Sequence, residues 1–217
     1  LTSLAGFSTP AQTVKHMVVV GVDGLSPDGV RKSQVPHLNQ LMKDGAWTLK
    51  ARGVMPTSSS PNWASMIMGA GPEQHGVTSN DWKTNKFEIP PTVVGPGGIF
   101  PTIYGVLRQQ QPKAVIGVFH DWGDYGRLLE RHMVDVIENP QGPTNTVLRA
   151  IDFIKNRKPT FTFIHLDHVD HAGHHDGHGT PAYYDSVGVA DKLIGQVLDA
   201  IEQAGMKKDT IVLVTAD

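Results

Sequence analysis

Cysteine is absent from the 217 residues. Disulfides, thiolate zinc sites and cysteine nucleophiles are thereby excluded, although no compartment is identified. No apolar run approaches the ~18 residues of a membrane span, so no spanning segment is expected. An excess of charge is missing too: 19 Lys and Arg stand against 21 Asp and Glu, a formal net charge of −2. A broad basic surface for a nucleic-acid polymer is therefore not expected. What is present is a hydrophobic fraction of 39%, in a length that suits one large domain.

The first segment, "LTSLAGFSTPAQTVKH", is small and polar. Residues 1–15 read as an N-terminal arm, and "TPAQ" resembles a small-residue cleavage site, as in the remnant of a secretory signal. A secreted or periplasmic location goes with that reading, and a cytoplasmic one is the alternative.

From residue 16 onward, apolar β-branched runs alternate with amphipathic ones. "HMVVVGVDG" reads as a buried strand ending at Asp23. "PHLNQLMKDGA" reads as a helix with Leu38, Leu41 and Met42 on one face and Gly45 as its stop. "TLKARGVM" is expected to be a strand, "WASMIMGAG" a short helix, and "FPTIYGVLRQQQP" a helix ending before Pro112. "AVIGVFHD", "MVDVIEN" and "TFTFIHLD" follow as strands, with the amphipathic "NTVLRAIDFIKNRKP" before the last of them. Val187, Ala190, Ile194, Val197, Leu198 and Ile201 form a helical stripe, and "TIVLVTAD" closes as a buried strand. "EIPPTVVGPGGIFP" reads as a surface loop. The alternation predicts an α/β fold, a mostly parallel sheet with helices on both faces. Ligands in such folds sit beyond the C-terminal strand ends, which is where Asp23, Asp167, Asp170 and Asp217 all fall.

Two stretches carry chemistry. "MPTSSSPNWASMIMG" places Thr57, Ser58, Ser59 and Ser60 where a helix begins. These hydroxyls suit capping, with Pro61 at the first helical position, or one of them is a nucleophile facing an anion at the helix end. "HLDHVDHAGHHDGHG" holds six of the 11 His residues and three Asp. Imidazole and carboxylate are natural ligands of zinc and similar ions. Asp167 with His171, Asp170 with His174, His171 with His175, and His174 with His178 all have chelating spacing. "DHAGH" favours Asp170 with His174, with Gly173 allowing a tight turn between them.

With these motifs in order, the chain resembles the alkaline phosphatase superfamily, most closely its type I phosphodiesterase/nucleotide pyrophosphatase branch. "VVGVDGL" resembles the first-strand metal aspartate segment. "PTSSSPNWASMIMGAGPEQHGVTSN" resembles the nucleophile segment, Ser59-Ser60-Pro61-Asn62 standing where the phosphodiesterases have Thr-Phe-Pro-Asn. "DHAGH" resembles Asp-x-x-Gly-His, and "VLVTAD" resembles the start of Thr-x-Asp-His-Gly.

The resemblance implies two divalent ions, zinc foremost, with Asp23 and Asp217 on one and Asp170 and His174 on the other. It makes Ser59 the nucleophile facing both, with Ser58 and Ser60 as neighbouring candidates, and Asn80 a donor to a substrate oxygen. It implies hydrolysis of a small-molecule phosphate ester, a phosphodiester or nucleotide pyrophosphate, through a phosphoserine intermediate. Oligomeric state is left open.

Two departures matter. Residues 16–217 read as an alkaline phosphatase-like domain that stops at Asp217, where the family continues with His-Gly, so truncation is expected. Serine replaces the usual threonine, which keeps a phosphomonoesterase, or a phosphotransferase acting on a lipid or sugar head group, as alternatives. A non-catalytic metal-binding domain is the alternative of another class.

The remaining polar residues receive plainer readings. Trp63 is expected to pack against the sheet, and its position argues against a sulfatase. His75, His120, Asp121 and Asp124 are read as structural. Asp191 is read as solvent-facing or as a partner to a ligand.

Overall fold

The computed structural model describes residues 13–217. Most of the expected 1–15 arm lies outside the described residues. Its last residue, Lys15, is tied down by a backbone bond to Asp209 O (2.9 Å) and an ion pair with the Asp209 side chain (2.7 Å).

Five strands form one all-parallel sheet: β1 (His16–Val22), β2 (Ile116–His120), β3 (Val136–Glu138), β4 (Phe161–Leu166) and β5 (Thr210–Thr215). Their spatial order is β3-β2-β4-β1-β5. β2 and β4 are buried along their whole length, as expected of parallel strands covered on both faces.

Alternating side chains build two cores. Val18, Val20 and Val22 of β1, with Ile164 and Leu166 of β4, meet α6 (Pro143–Arg157) and α8 (Pro181–Gln203). Val19, Phe161 and Phe163 face the other way, toward α3 (Ser59–Met68) and α5 (Ile103–Gln110), with Trp63, Tyr104 and Tyr125 filling the space between. Val187, Ala190, Ile194, Val197 and Ile201 of the α8 stripe are all buried, which satisfies a 3.6-residue period over about four turns.

Three expectations need correction. Residues Thr48–Met55 are not a strand. They run as an exposed extended connection between α2 (Pro36–Asp44) and α3. A strand needs a partner ladder, and here the Val54 N–H donates instead to the Asn62 side chain at 2.7 Å. β5 is not buried but lies at one edge of the sheet, with Ile211 47% and Leu213 44% exposed. The His-rich tract is helical, forming α7 (His168–Ala172) and a single π-helical turn, Gly173–Gly177. Gly173 has ordinary helical angles (φ −60°, ψ −40°). Its missing side chain serves packing, since a Cβ there would stand 2.7 Å from the His178 ring.

Candidate metal centre and nucleophile

Strand register assembles the site. In the parallel pairing Val22 lies level with Leu166, and Gly21 with Thr215. One step beyond the first pair come Asp23 and Asp167, and two beyond the second come Asp23 and Asp217. Three carboxylates from distant parts of the chain thus leave the sheet at one level. Asp170 joins them from the first turn of α7. Gly24 permits that approach: it has φ +69°, and a Cβ there would stand 2.6 Å from the Asp170 Cα. Carboxylate oxygens of Asp23, Asp167 and Asp170 all lie within 4.8 Å of one another. The Asp217 Oδ1 accepts the Gly24 N–H at 3.0 Å.

Burial penalises every charge in this group. It raises the Asp217 pKa to about 7 and that of Asp167 to about 6, the nearby Asp23 charge adding in each case. Asp23 and Asp170 are also raised, again by burial foremost. Among the described residues no lysine or arginine forms an ion pair with any of the four. Hard oxygen donors gathered without a compensating cation are the donor set of a divalent-metal site. His174 approaches Asp170, Nε2 to Oδ1 at 3.5 Å, from an 82% exposed position.

Ser59 is the first residue of α3, and its Oγ lies 3.3 Å from Asp23 Oδ1. Capping does not account for the hydroxyl cluster, because Ser58 at the N-cap makes no side-chain cap bond. The cap comes from Asn80, whose Oδ1 accepts the Ser60 N–H at 2.8 Å. That N–H is consequently not free for a substrate oxygen. The Ser60 side chain is fully buried with its Oγ unpartnered, away from solvent. Pro61 occupies the third helical position and not the expected first, still within the turn whose N–H groups have no intrahelical acceptor. Arg127 donates to the Asn80 backbone oxygen and anchors the loop that carries it.

Two contributors escaped the sequence reading. Trp63 is fully buried, and its indole Nε1–H donates to Asp23 Oδ2 at 2.7 Å, so it does more than pack. His165, also fully buried on β4, sets its Nε2 3.2 Å from the same oxygen. The two rings meet edge to face at 4.8 Å. A histidine inside the apolar run "TFTFIHLD" was the available signal, because a buried imidazole demands a partner.

Other residues take structural places. His75 is buried, accepts the Val77 N–H through Nδ1 at 3.0 Å and meets Ser65 Oγ through Nε2 at 2.9 Å. Asp121 accepts the Gly142 N–H at 2.7 Å, Asp124 pairs with Arg127 at 3.1 Å, and His120 Nδ1 meets the Trp122 carbonyl at 2.8 Å. Asp191 is neither solvent-facing nor near the carboxylates. It is fully buried and caps α2 through the N–H groups of His37 (3.2 Å) and Leu38 (2.8 Å). The His171 and His175 rings stack at 6.1 Å on the exposed side of the tract.

The sequence pattern of the type I phosphodiesterase/nucleotide pyrophosphatase family matches residues 17–95 and 110–217. Human ectonucleotide pyrophosphatase/phosphodiesterase family member 1 is 21% identical over 251 residues, covering 98% of this chain and 24% of the relative. A venom phosphodiesterase of Macrovipera lebetinus is 22% identical, covering 85% and 23%. The chain thus spans about a quarter of the length of these curated relatives. In three dimensions, murine ectonucleotide pyrophosphatase/phosphodiesterase 5, solved in an inactive form with AMP, superposes with a TM-score of 0.75 at 20% identity. That superposition covers 94% of this chain and 56% of the murine one. On this match of sequence pattern and fold, the chain belongs to the type I phosphodiesterase/nucleotide pyrophosphatase family, a branch of the alkaline phosphatase superfamily.

Proposed function

We propose that this chain carries the catalytic centre of a metal-dependent phosphate-ester hydrolase that cleaves a phosphodiester or nucleotide pyrophosphate through a phosphoserine intermediate. The observation that carries the reading is Ser59 Oγ at 3.3 Å from Asp23, on the rim of a carboxylate cluster that, among the described residues, no lysine or arginine pairs with. The names of the relatives, ectonucleotide pyrophosphatases and a venom phosphodiesterase, support the nucleotide-type substrate. They also favour a location outside the cytoplasm. No helix among the described residues is long and apolar enough to cross a membrane.

The residues fit two divalent ions. Asp23, Asp167 and Asp217 would offer oxygens at the strand ends, Asp170 an oxygen and His174 an imidazole nitrogen from α7 and its π turn, and Ser59 lies beside Asp23. Such ions, zinc foremost, would lower the pKa of a serine hydroxyl and draw charge from the non-bridging phosphoryl oxygens.

The chain's own residues do the rest. Ser59 gives its hydroxyl proton to solvent and its Oγ forms a bond to phosphorus while the bond to the departing ester oxygen breaks, and that oxygen takes a proton from solvent. Water then attacks the serine-bound phosphoryl group, which still carries the other ester group, releasing a phosphate monoester and returning a proton to Ser59. Asn80 orients by elimination. The Ser60 N–H requires an acceptor, so the Asn80 Oδ1 faces it, and both Nδ2 protons are left for a phosphoryl oxygen.

Turnover of bis-p-nitrophenyl phosphate and p-nitrophenyl phosphate, measured with added zinc, tests the reading. Preference for the diester is expected. Preference for the monoester would favour the serine-using monoesterases instead. Ser59→Ala should lose turnover while retaining zinc, and an active Ser59→Ala protein would overturn the nucleophile assignment.

A further inference from the structure

Asp23 has two oxygens in different surroundings. Oδ2 faces the protein interior, where Trp63 Nε1 stands at 2.7 Å and His165 Nε2 at 3.2 Å. Oδ1 faces the rim, with Ser59 Oγ at 3.3 Å. A carboxylate oxygen has two lone pairs in the carboxyl plane. The indole can only donate. The imidazole donates as well, because a carboxylate accepts only, so its proton is on Nε2. His165 Nδ1 is correspondingly without a partner.

From this arrangement we propose that Trp63 and His165 are positioning residues that saturate Asp23 Oδ2, leaving Oδ1 as the one oxygen Asp23 can give to a metal ion. The proposal rests on the reading of the carboxylate rim as a metal centre. Its physical content is orientation. A free aspartate rotates about χ2 and can bind an ion through one oxygen or two. With Oδ2 held from behind, Oδ1 stays on the side of Ser59. The anchors are stiff. Trp63 is gripped edge-on by Tyr125, Phe163 and His165. It also lies over Gly21, where a Cβ would stand 2.6 Å from the ring. That glycine therefore makes room for the indole beside the strand that carries Asp23.

Three measurements test this. In a 15N–1H spectrum of the metal-free protein, the Trp63 indole resonance, assigned through its contact with Gly21, should be shifted downfield and exchange slowly with solvent. It should stay there when Co2+ is added, because the ion takes the other oxygen. An indole signal at the position of a free, fast-exchanging side chain would overturn the clamp, whatever the metal does. The Trp63→Phe variant keeps a ring but removes the shorter of the two hydrogen bonds to Oδ2, opening one of its lone pairs to the ion. Co2+ affinity should fall by about 10- to 100-fold, as for other groups that orient metal ligands. The visible absorption of bound Co2+ should weaken as Asp23 becomes a two-oxygen ligand and the coordination number rises. Unchanged affinity and spectrum in a folded Trp63→Phe protein would also overturn the proposal. If that variant does not fold, the indole spectrum of the unmodified protein decides. Failure of the unmodified protein to bind Co2+ would instead sink the metal-centre reading, and with it the ligand role of Asp23, while the indole signal judges the hydrogen bond independently.

Discussion

At the scale of one side chain, Asn80 has one observed duty and one proposed for it. Its Oδ1 caps α3 by accepting the Ser60 N–H, and its Nδ2 is assigned to the substrate. Substitution can divide them. Asn80→Asp keeps an acceptor for Ser60, so thermal stability should hold, but it sets a negative charge where an anion must bind. Asn80→Ala loses the cap as well and should cost about 1 kcal/mol of stability. Turnover should drop by about 100-fold or more in both. Melting curves run beside diester hydrolysis check this, and an Asn80→Asp protein that turns over normally would remove the substrate role. Asp167 offers a second division. It is a half-buried carboxylate among carboxylates, with its pKa raised to about 6. In chelator, Asp167→Asn relieves repulsion and should raise the melting temperature, by an amount on the order of 1 kcal/mol once solvent screening is allowed for. With zinc present, the same variant should gain less from the metal than the unmodified protein does.

The element scale shows what sequence could and could not convey. Helices and strands with strong periodicity were legible, because burial on one or two faces writes itself into residue spacing. Thr48–Met55 misled because strand-forming residues record a local preference, whereas a strand exists only where a neighbour supplies a ladder. The His tract misled through its glycines. Gly173 reads as a turn, yet it is helical because His178 needs its space. The acids Asp23, Asp170 and Asp217 were recognisable from their places after apolar runs and from family resemblance. Trp63 and His165 were not, since their roles depend on which face of the sheet meets α3.

Two tests belong at this scale. Gly21→Ala and Gly117→Ala both overpack the sheet, one against Trp63 and the other against Phe153, and each should destabilise by about 1–3 kcal/mol. Only Gly21→Ala should also weaken zinc binding, as titration calorimetry would detect. The junction of α3 with α4 (Pro72–His75) is latched by buried His75, whose pKa burial lowers to about 4. The unfolded chain binds that proton near 6.5, so the unfolded state gains protons first as pH falls. The contribution of His75 is full above pH 6.5 and is lost progressively toward pH 4. Denaturation at pH 7 and pH 5 should show this loss, and His75→Gln should reduce the difference. An equally steep profile in the variant would refute the latch.

For the molecule as a whole, the sheet's C-terminal rim is its least self-sufficient region. The two cores lie on either side of the strands, while four acids crowd one edge without a lysine or arginine partner among the described residues. Metal loading should therefore act as a folding ligand. At a free zinc concentration a hundredfold above the dissociation constant, stability should increase by about 2.7 kcal/mol. Chelation should reverse the gain, as calorimetry would read. A melting temperature indifferent to zinc and chelator would contradict this account of the rim.

The even stagger of β1, β4 and β5 also bears on how such a chain can change over time. One residue inserted in any of these strands would slide an acid about 3.3 Å along the sheet and turn it to the opposite side. Insertions between strands leave the stagger untouched. Drift is thus free to rewrite most side chains, to the 20% identity shared with the murine relative, provided each strand keeps its count of residues to the rim.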